Sequence, residues 1–154
     1  MDELDKQIVR HLHEDGRKSF REIADAVDTT PVTVTNRVQK LQERGIIRDY
    51  TIRLDHEQLG LDLAAIIRLE VNGDRDRLQD RLDGHEFVQS MYRVTGDTDV
   101  VILGKFPDQQ ELSDFVKYEL LDHEESVVET ANTHIIMDTY KEDHAVPPTD
   151  HAPS

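Results

Sequence analysis

Residues 19–47 read SFREIADAVDTTPVTVTNRVQKLQERGII, and this stretch decides the fold. Ser19 followed three residues later by Glu22 is a capping box, which starts a helix by satisfying two backbone N–H groups reciprocally. Phe20, Ile23, Ala24 and Val27 recur at helical spacing and predict its inner face. DTTP then breaks the pattern. Thr30 can cap a second helix, and Pro31 suits its first position, where the missing N–H has no partner to lose. Val34, Val38 and Leu41 form the next apolar stripe, and Gly45 stops that helix. Ala24 is small enough to let two helices cross closely. Two short helices around a tight turn predict a helix-turn-helix.

Upstream, DELDKQIVRHLHED places Leu4, Ile8 and Leu12 on one stripe with Val9 beside them, so a first helix is expected from an Asp2 cap to Gly16. Downstream, IIRDYTIRL alternates well enough to predict a small β-hairpin, the wing of a winged helix, closing a domain over residues 1–54. With Val34, Val38 and Leu41 inward, Thr33, Thr35, Asn36, Arg37 and Lys40 are expected to face outward. These side chains suit base edges in a major groove: Arg for guanine, Asn for adenine, a Thr methyl for thymine. Arg17, Lys18, Arg21 and Arg44 are expected to neutralise phosphates, which positions a protein without specifying sequence. Arg48 and Arg53 are expected on or near the wing. Charged helix faces alone would equally fit a solvated bundle. The capping box, small residue, Thr-Pro restart and polar-basic outer face together favour DNA.

The formal net charge is -15, and it is unevenly spread. Residues 1–50 hold 9 Lys and Arg against 10 Asp and Glu, whereas residues 51–154 hold 9 against 23. Between Arg17 and Arg48 the count is 7 basic to 4 acidic, so the segment expected to touch a polyanion is locally positive. Asp supplies 20 of the 33 acids, and Arg outnumbers Lys 12 to 6. That balance suggests a halophilic cytoplasm, where screening lengths shrink to about 3 Å at molar ionic strength. The absence of cysteine excludes disulfides, thiol nucleophiles and cysteine-based metal sites. The opening MDELDKQI has neither a basic nor an apolar signal region, and no apolar run approaches the roughly 18 residues of a membrane span. A cytoplasmic protein is expected.

After a linker over residues 55–62 the periodicity changes. LAAIIRLEV alternates as a strand, DRDRLQDRLDG reads as a helix burying Leu78 and Leu82, and FVQSMYRV and VVILGKF are strands flanking the turn GDTD. PDQQELSDFVKYELL reads as a helix opening at Pro107, and SVVETANTHIIM as a fourth strand. The order β-α-β-β-α-β is the ferredoxin-like split motif, expected over residues 63–140. One such sheet leaves a face or edge open, so a homodimer is the expected minimum. The tail, residues 141–154, is expected to be disordered from its Pro and polar content.

Residues 2–141 as a whole resemble the Lrp/AsnC (leucine-responsive/asparagine-regulator) family of transcription regulators. LDKQIVRHLHEDGRKSFREIADAV and VTVTNRVQKLQERGII carry the resemblance in the DNA-binding half, and GDTD is similar to the family's Gly-x-x-Asp signature in the sensing half. The resemblance implies an α+β architecture: a winged helix-turn-helix followed by a ferredoxin-like domain that binds a small molecule, usually an amino acid, between dimers assembling as far as octamers. It points to Thr35, Asn36 and Arg37 as base readers and to Gly96, Asp97, Thr98 and Asp99 as the effector-lining turn. There Asp97 and Asp99 would accept hydrogen bonds from an ammonium group, and backbone N–H groups would take the carboxylate. GDTD is equally a good hairpin turn. Tyr92, Thr130 and Thr133 are further pocket candidates. No enzyme, metal or cofactor is expected: His11 and His13 point apart on a helix, the other histidines lie singly, and no Gly-rich phosphate loop occurs. The competing function is an architectural protein that packs DNA without a specific effector.

Overall fold

The computed structural model describes residues 1–124 and 126–142, so the tail from residue 143 on lies outside the described residues. The chain divides into two compact units: Met1–Arg53 with Lys141 and Glu142, and Leu54–Tyr140.

The first unit holds α1 (Glu3–Glu14), α2 (Phe20–Ala26) and α3 (Pro31–Glu43). Helices this short are marginal on their own, so their ends and their packing decide them. All three start on a side-chain cap, each worth about 1 kcal/mol. Asp2 and Asp5 form a reciprocal box on α1, and Ser19 and Glu22 form another on α2. Thr30 accepts from the Thr33 N–H at 3.2 Å, with Pro31 in the first turn of α3. Ile8, Ile23, Ala24, Val34 and Val38 make the core, and Leu4, Leu12, Phe20 and Ile47 pack around it. The turn from α2 to α3 passes through Asp28 at φ +52°, a left-handed position that Asp tolerates better than most residues.

The hairpin expected after α3 does not form within the chain. Among the described residues no strand lies between Glu43 and Leu63; the segment holds only a single 3-10 turn, Glu57–Leu59. Two short strands with nothing to pack against are marginal in water, and here Tyr50, Ile52 and Leu54 stand exposed.

The second unit runs β1 (Leu63–Val71), α4 (Arg75–Leu82), β2 (Val88–Arg93), β3 (Val100–Phe106), α5 (Gln109–Asp114) and β4 (Val128–Ile135). Its sheet has the order β2-β3-β1-β4, antiparallel throughout, as the split motif requires. Ala65, Ile67, Leu69 and Val71 of β1 and Val100, Ile102 and Phe106 of β3 share one face. Leu78, Leu82, Leu112, Phe115 and Leu120 close over them. Rings of Phe87, Phe106 and Phe115 touch at centroid separations of 5.3 and 5.4 Å. A Cβ at Gly104 would lie 2.5 Å from the Phe106 ring and 3.1 Å from the Phe87 carbonyl, so β3 needs a glycine there. Asp108, not Pro107, caps α5, accepting from the Glu111 N–H at 2.9 Å. Beyond Asp114 the helix widens to a π-type winding over Phe115–Leu121, ending in an Asp122 N–H bond to the Lys117 carbonyl. The opposite face of the sheet carries Ile66, Arg68 and Glu70 beside Val101, Leu103 and Tyr92, and no helix of this unit covers it.

No described helix is long and apolar enough to cross a membrane.

Candidate nucleic-acid interface and effector turn

The buried face of α3 is Val34, Val38 and Leu41, and its exposed residues include Val32, Thr35, Asn36, Gln39 and Lys40. Sequence reading placed five side chains outward; the structure sorts them. Asn36 and Lys40 are exposed. Thr33 is half-buried and its hydroxyl meets that of Thr30 at 2.9 Å. Thr35 is exposed, yet its hydroxyl donates to the Pro31 carbonyl at 2.9 Å. Arg37 departs most from expectation. It lies on the flank of α3 beside α1, where its guanidinium donates to Asp2 and, at 2.9 Å, to the buried Asp5. A cation beside two carboxylates finds its partner inside the protein. The hydrogen bond from Arg37, aided by the Asp5 N–H, holds the Asp2 carboxyl below its usual range. The two carboxylates in turn raise Arg37, Asp2 most of all.

Of the expected phosphate contacts, Arg17, Arg21, Arg44 and Arg48 are exposed. Arg17 precedes α2, Arg21 sits in its first turn, and Arg44 and Arg48 follow α3. Lys18 is half-buried, with its ammonium 3.3 Å from Glu14 and 3.2 Å from His11 Nδ1, so a phosphate would compete with a carboxylate for it.

In the second unit the Val94 N–H donates to the Asp99 carbonyl at 3.0 Å, closing the turn that joins β2 to β3, and Gly96 takes φ +114° within it. Sequence reading missed the two arginines that hold this turn. Arg68 of β1 donates to the buried Thr98 hydroxyl through Nε at 3.0 Å and Nη2 at 2.7 Å, and also reaches Asp97 at 3.0 Å. Arg75, opening α4, donates to Asp99 Oδ1 at 2.6 Å, while the Val71 N–H donates to Oδ2 at 2.9 Å. The backbone bond from Val71, then that from Arg75, pulls the Asp99 carboxyl below its usual range. Both Asp99 oxygens thus have protein partners. Asp99 thereby clamps β1, α4 and the turn together. Asp97 is the exposed carboxylate of the pair. Only the spacing of Arg68 and Arg75 about the strand end hinted at them, since pairing across 24 to 30 residues is set by register.

The remaining pocket candidates are not gathered in one place within the chain. Tyr92 is exposed on β2 and Thr130 and Thr133 lie on β4, at opposite edges of the sheet. Three strand spacings separate them, about 14 Å. Thr130 and Thr133 also face opposite sides, paired with Glu70 and Ile67. A cavity of about 350 Å³ lies instead between α4 and β2, lined by Arg75, Leu78, Leu82, Met91, Arg93 and Val100. Among the described residues no group of three or more His, Asp or Glu could hold a metal ion.

Residues 1–42 match the model of the AsnC-type helix-turn-helix domain, and residues 64–146 that of the Lrp/AsnC ligand binding domain. The chain is 37% identical over 150 residues to an uncharacterised HTH-type transcriptional regulator of Pyrococcus abyssi, covering 96% of this chain and 99% of the relative. Its structure is similar to that of a transcriptional regulator from Neisseria meningitidis solved with L-Met, with a TM-score of 0.90, 28% identity and 96% of each chain covered. It is similar also to LrpC of Bacillus subtilis, with a TM-score of 0.82, 27% identity, and 92% of this chain and 97% of that one covered.

Proposed function

We propose, because the chain belongs to the Lrp/AsnC family of transcription regulators, that α3 enters a DNA major groove and that an amino acid held by the second unit controls the outcome. The single observation carrying the first half is the exposed stripe of α3, directly opposite the Val34–Val38–Leu41 face. The amino-acid class is supported by the L-Met complex of the Neisseria regulator. The effector sits at the exposed side of the GDTD turn, where Asp97 faces solvent and Asp99 keeps the turn in place. Two copies of the chain cover each other's open sheet face as a dimer, and dimers assemble further, up to an octamer. The effector binds one assembly better than another, since a ligand with equal affinity for both shifts nothing. Arg17, Arg21, Arg44 and Arg48 set the position on the phosphates.

Footprinting of the full chain on genomic fragments tests the DNA half. Short protected palindromes with half-sites one helical turn apart, about 34 Å, are expected. Uniform protection of every sequence would instead favour an architectural role. Calorimetry against the twenty amino acids tests the sensing half, with a saturable heat from one or a few of them and its loss in Asp97→Ala. A responding amino acid whose heat survives Asp97→Ala would overturn the placement at the turn.

A further inference from the structure

Val32 is 69% exposed, a β-branched apolar side chain in the first turn of α3 that belongs to neither hydrophobic core. Nothing within its unit explains an exposed apolar side chain there. Its position does. At 3.6 residues per turn, Val32 and Asn36 stand about 160° and 200° around the helix from Val34, so they flank the line farthest from the core. They also lie near the N-terminal end of α3, the end of a recognition helix that meets base edges.

The polar inventory of that face narrows the choice. The Thr33 and Thr35 hydroxyls are engaged within the helix start, Gln39 donates to Glu43 at 3.0 Å, and Arg37 is held by Asp2 and Asp5. The side chains of Asn36 and Lys40 remain without an internal hydrogen bond among the described residues. An exposed Asn can pair bidentately with adenine, and the apolar group a major groove offers is the thymine C5 methyl. Residues at i and i+4 have Cβ atoms about 5–6 Å apart, and successive base pairs rise about 3.4 Å. Val32 and Asn36 therefore address base pairs one or two steps apart.

We propose that Val32 is a specificity-determining residue that packs on the C5 methyl of a thymine in each half-site, near an adenine read by Asn36. This rests on the reading that α3 enters the groove, and the test separates the two. Duplexes are first selected from a random library by the full chain. Each thymine of the selected site is then replaced singly by deoxyuridine, which lacks only the methyl. At one thymine per half-site the replacement weakens binding roughly fourfold, the effect of burying a single methyl group. Val32→Ala binds the thymine and uracil duplexes alike, while Asn36→Ala keeps the thymine preference and relaxes that adenine. The exposed position makes Val32→Ala a folded protein, checked by an unchanged thermal melt. A selected site insensitive to every uracil replacement, or a Val32→Ala protein with the native thymine preference, overturns the assignment to Val32 alone. A library from which no sequence is enriched overturns groove reading by α3 and this inference with it.

Discussion

Arg37→Ala separates a structural arginine from a base-reading one. The guanidinium bridges α3 to the N-terminus of α1 through two unequal pairs. Asp2 is 53% exposed against 32% for Arg37, so that pair is screened and contributes about 0.2–1 kcal/mol. Asp5 is 11% exposed, and stripping a buried carboxylate of its cation costs about 3–5 kcal/mol when nothing else compensates. Here the Asp2 N–H still reaches Asp5 at 3.1 Å, which brings that loss down towards the value of one charged hydrogen bond, about 1.5 kcal/mol. The sum is roughly 2 kcal/mol, and at about 4–8 °C per kcal/mol in a domain this small the first unit melts roughly 8–16 °C lower. Far-UV circular dichroism of the full chain reads that transition, and binding to a selected duplex and a scrambled one reads recognition. The dependence on pH follows the same contact. Asp2 sits below its ordinary value of 3.8, so its contribution is complete above that value and is lost as pH falls through the depressed pKa. Arg37→Ala flattens this acid limb. A variant that melts like the native protein, yet loses affinity for the selected duplex and not the scrambled one, would refute the reasoning: Arg37 would then leave the carboxylates for a base.

Two further outcomes follow from backbone positions. Gly104→Ala forces a methyl group into the Phe106 ring and the Phe87 carbonyl, and overpacking of this kind lowers stability by about 1–3 kcal/mol; a native melting curve would mean that the aromatic cluster is not seated on β3. At Asp28, whose φ is +52°, glycine relieves left-handed strain and alanine does not. Asp28→Gly is therefore expected to melt above Asp28→Ala by the equivalent of about 1 kcal/mol, and the reverse order in a thermal melt would exclude a left-handed turn.

What could be read in advance was whatever depends on neighbours in sequence. The Ser19–Glu22 box, the Thr30–Pro31 restart and the alternation of Ile67, Leu69 and Val71 all act within a few residues, and each stands where its spacing put it. Pairings across the fold were hidden. Arg37 looked like a groove reader because helical periodicity says which residues leave the core; it does not say that Asp2 and Asp5 wait on the flank. The anchoring of Asp99 was hidden because its partners, Val71 and Arg75, arrive from another strand end. IIRDYTIRL alternated like a hairpin, but alternation signals a strand without supplying the surface it must pack on. The high-salt expectation rests on composition alone.

A sheet insulated on one side only cannot keep its other side dry by its own resources. With Ile66 and Tyr92 exposed there, the second copy proposed to lie over them would become part of what holds the sensing unit together. In that dimer folding and association would obey mass action jointly, and the melting temperature would climb with protein concentration and sink on dilution. Under such an arrangement a fall in synthesis does more than thin the population: each remaining molecule also becomes easier to unfold, so the amount made governs the quality of what is made.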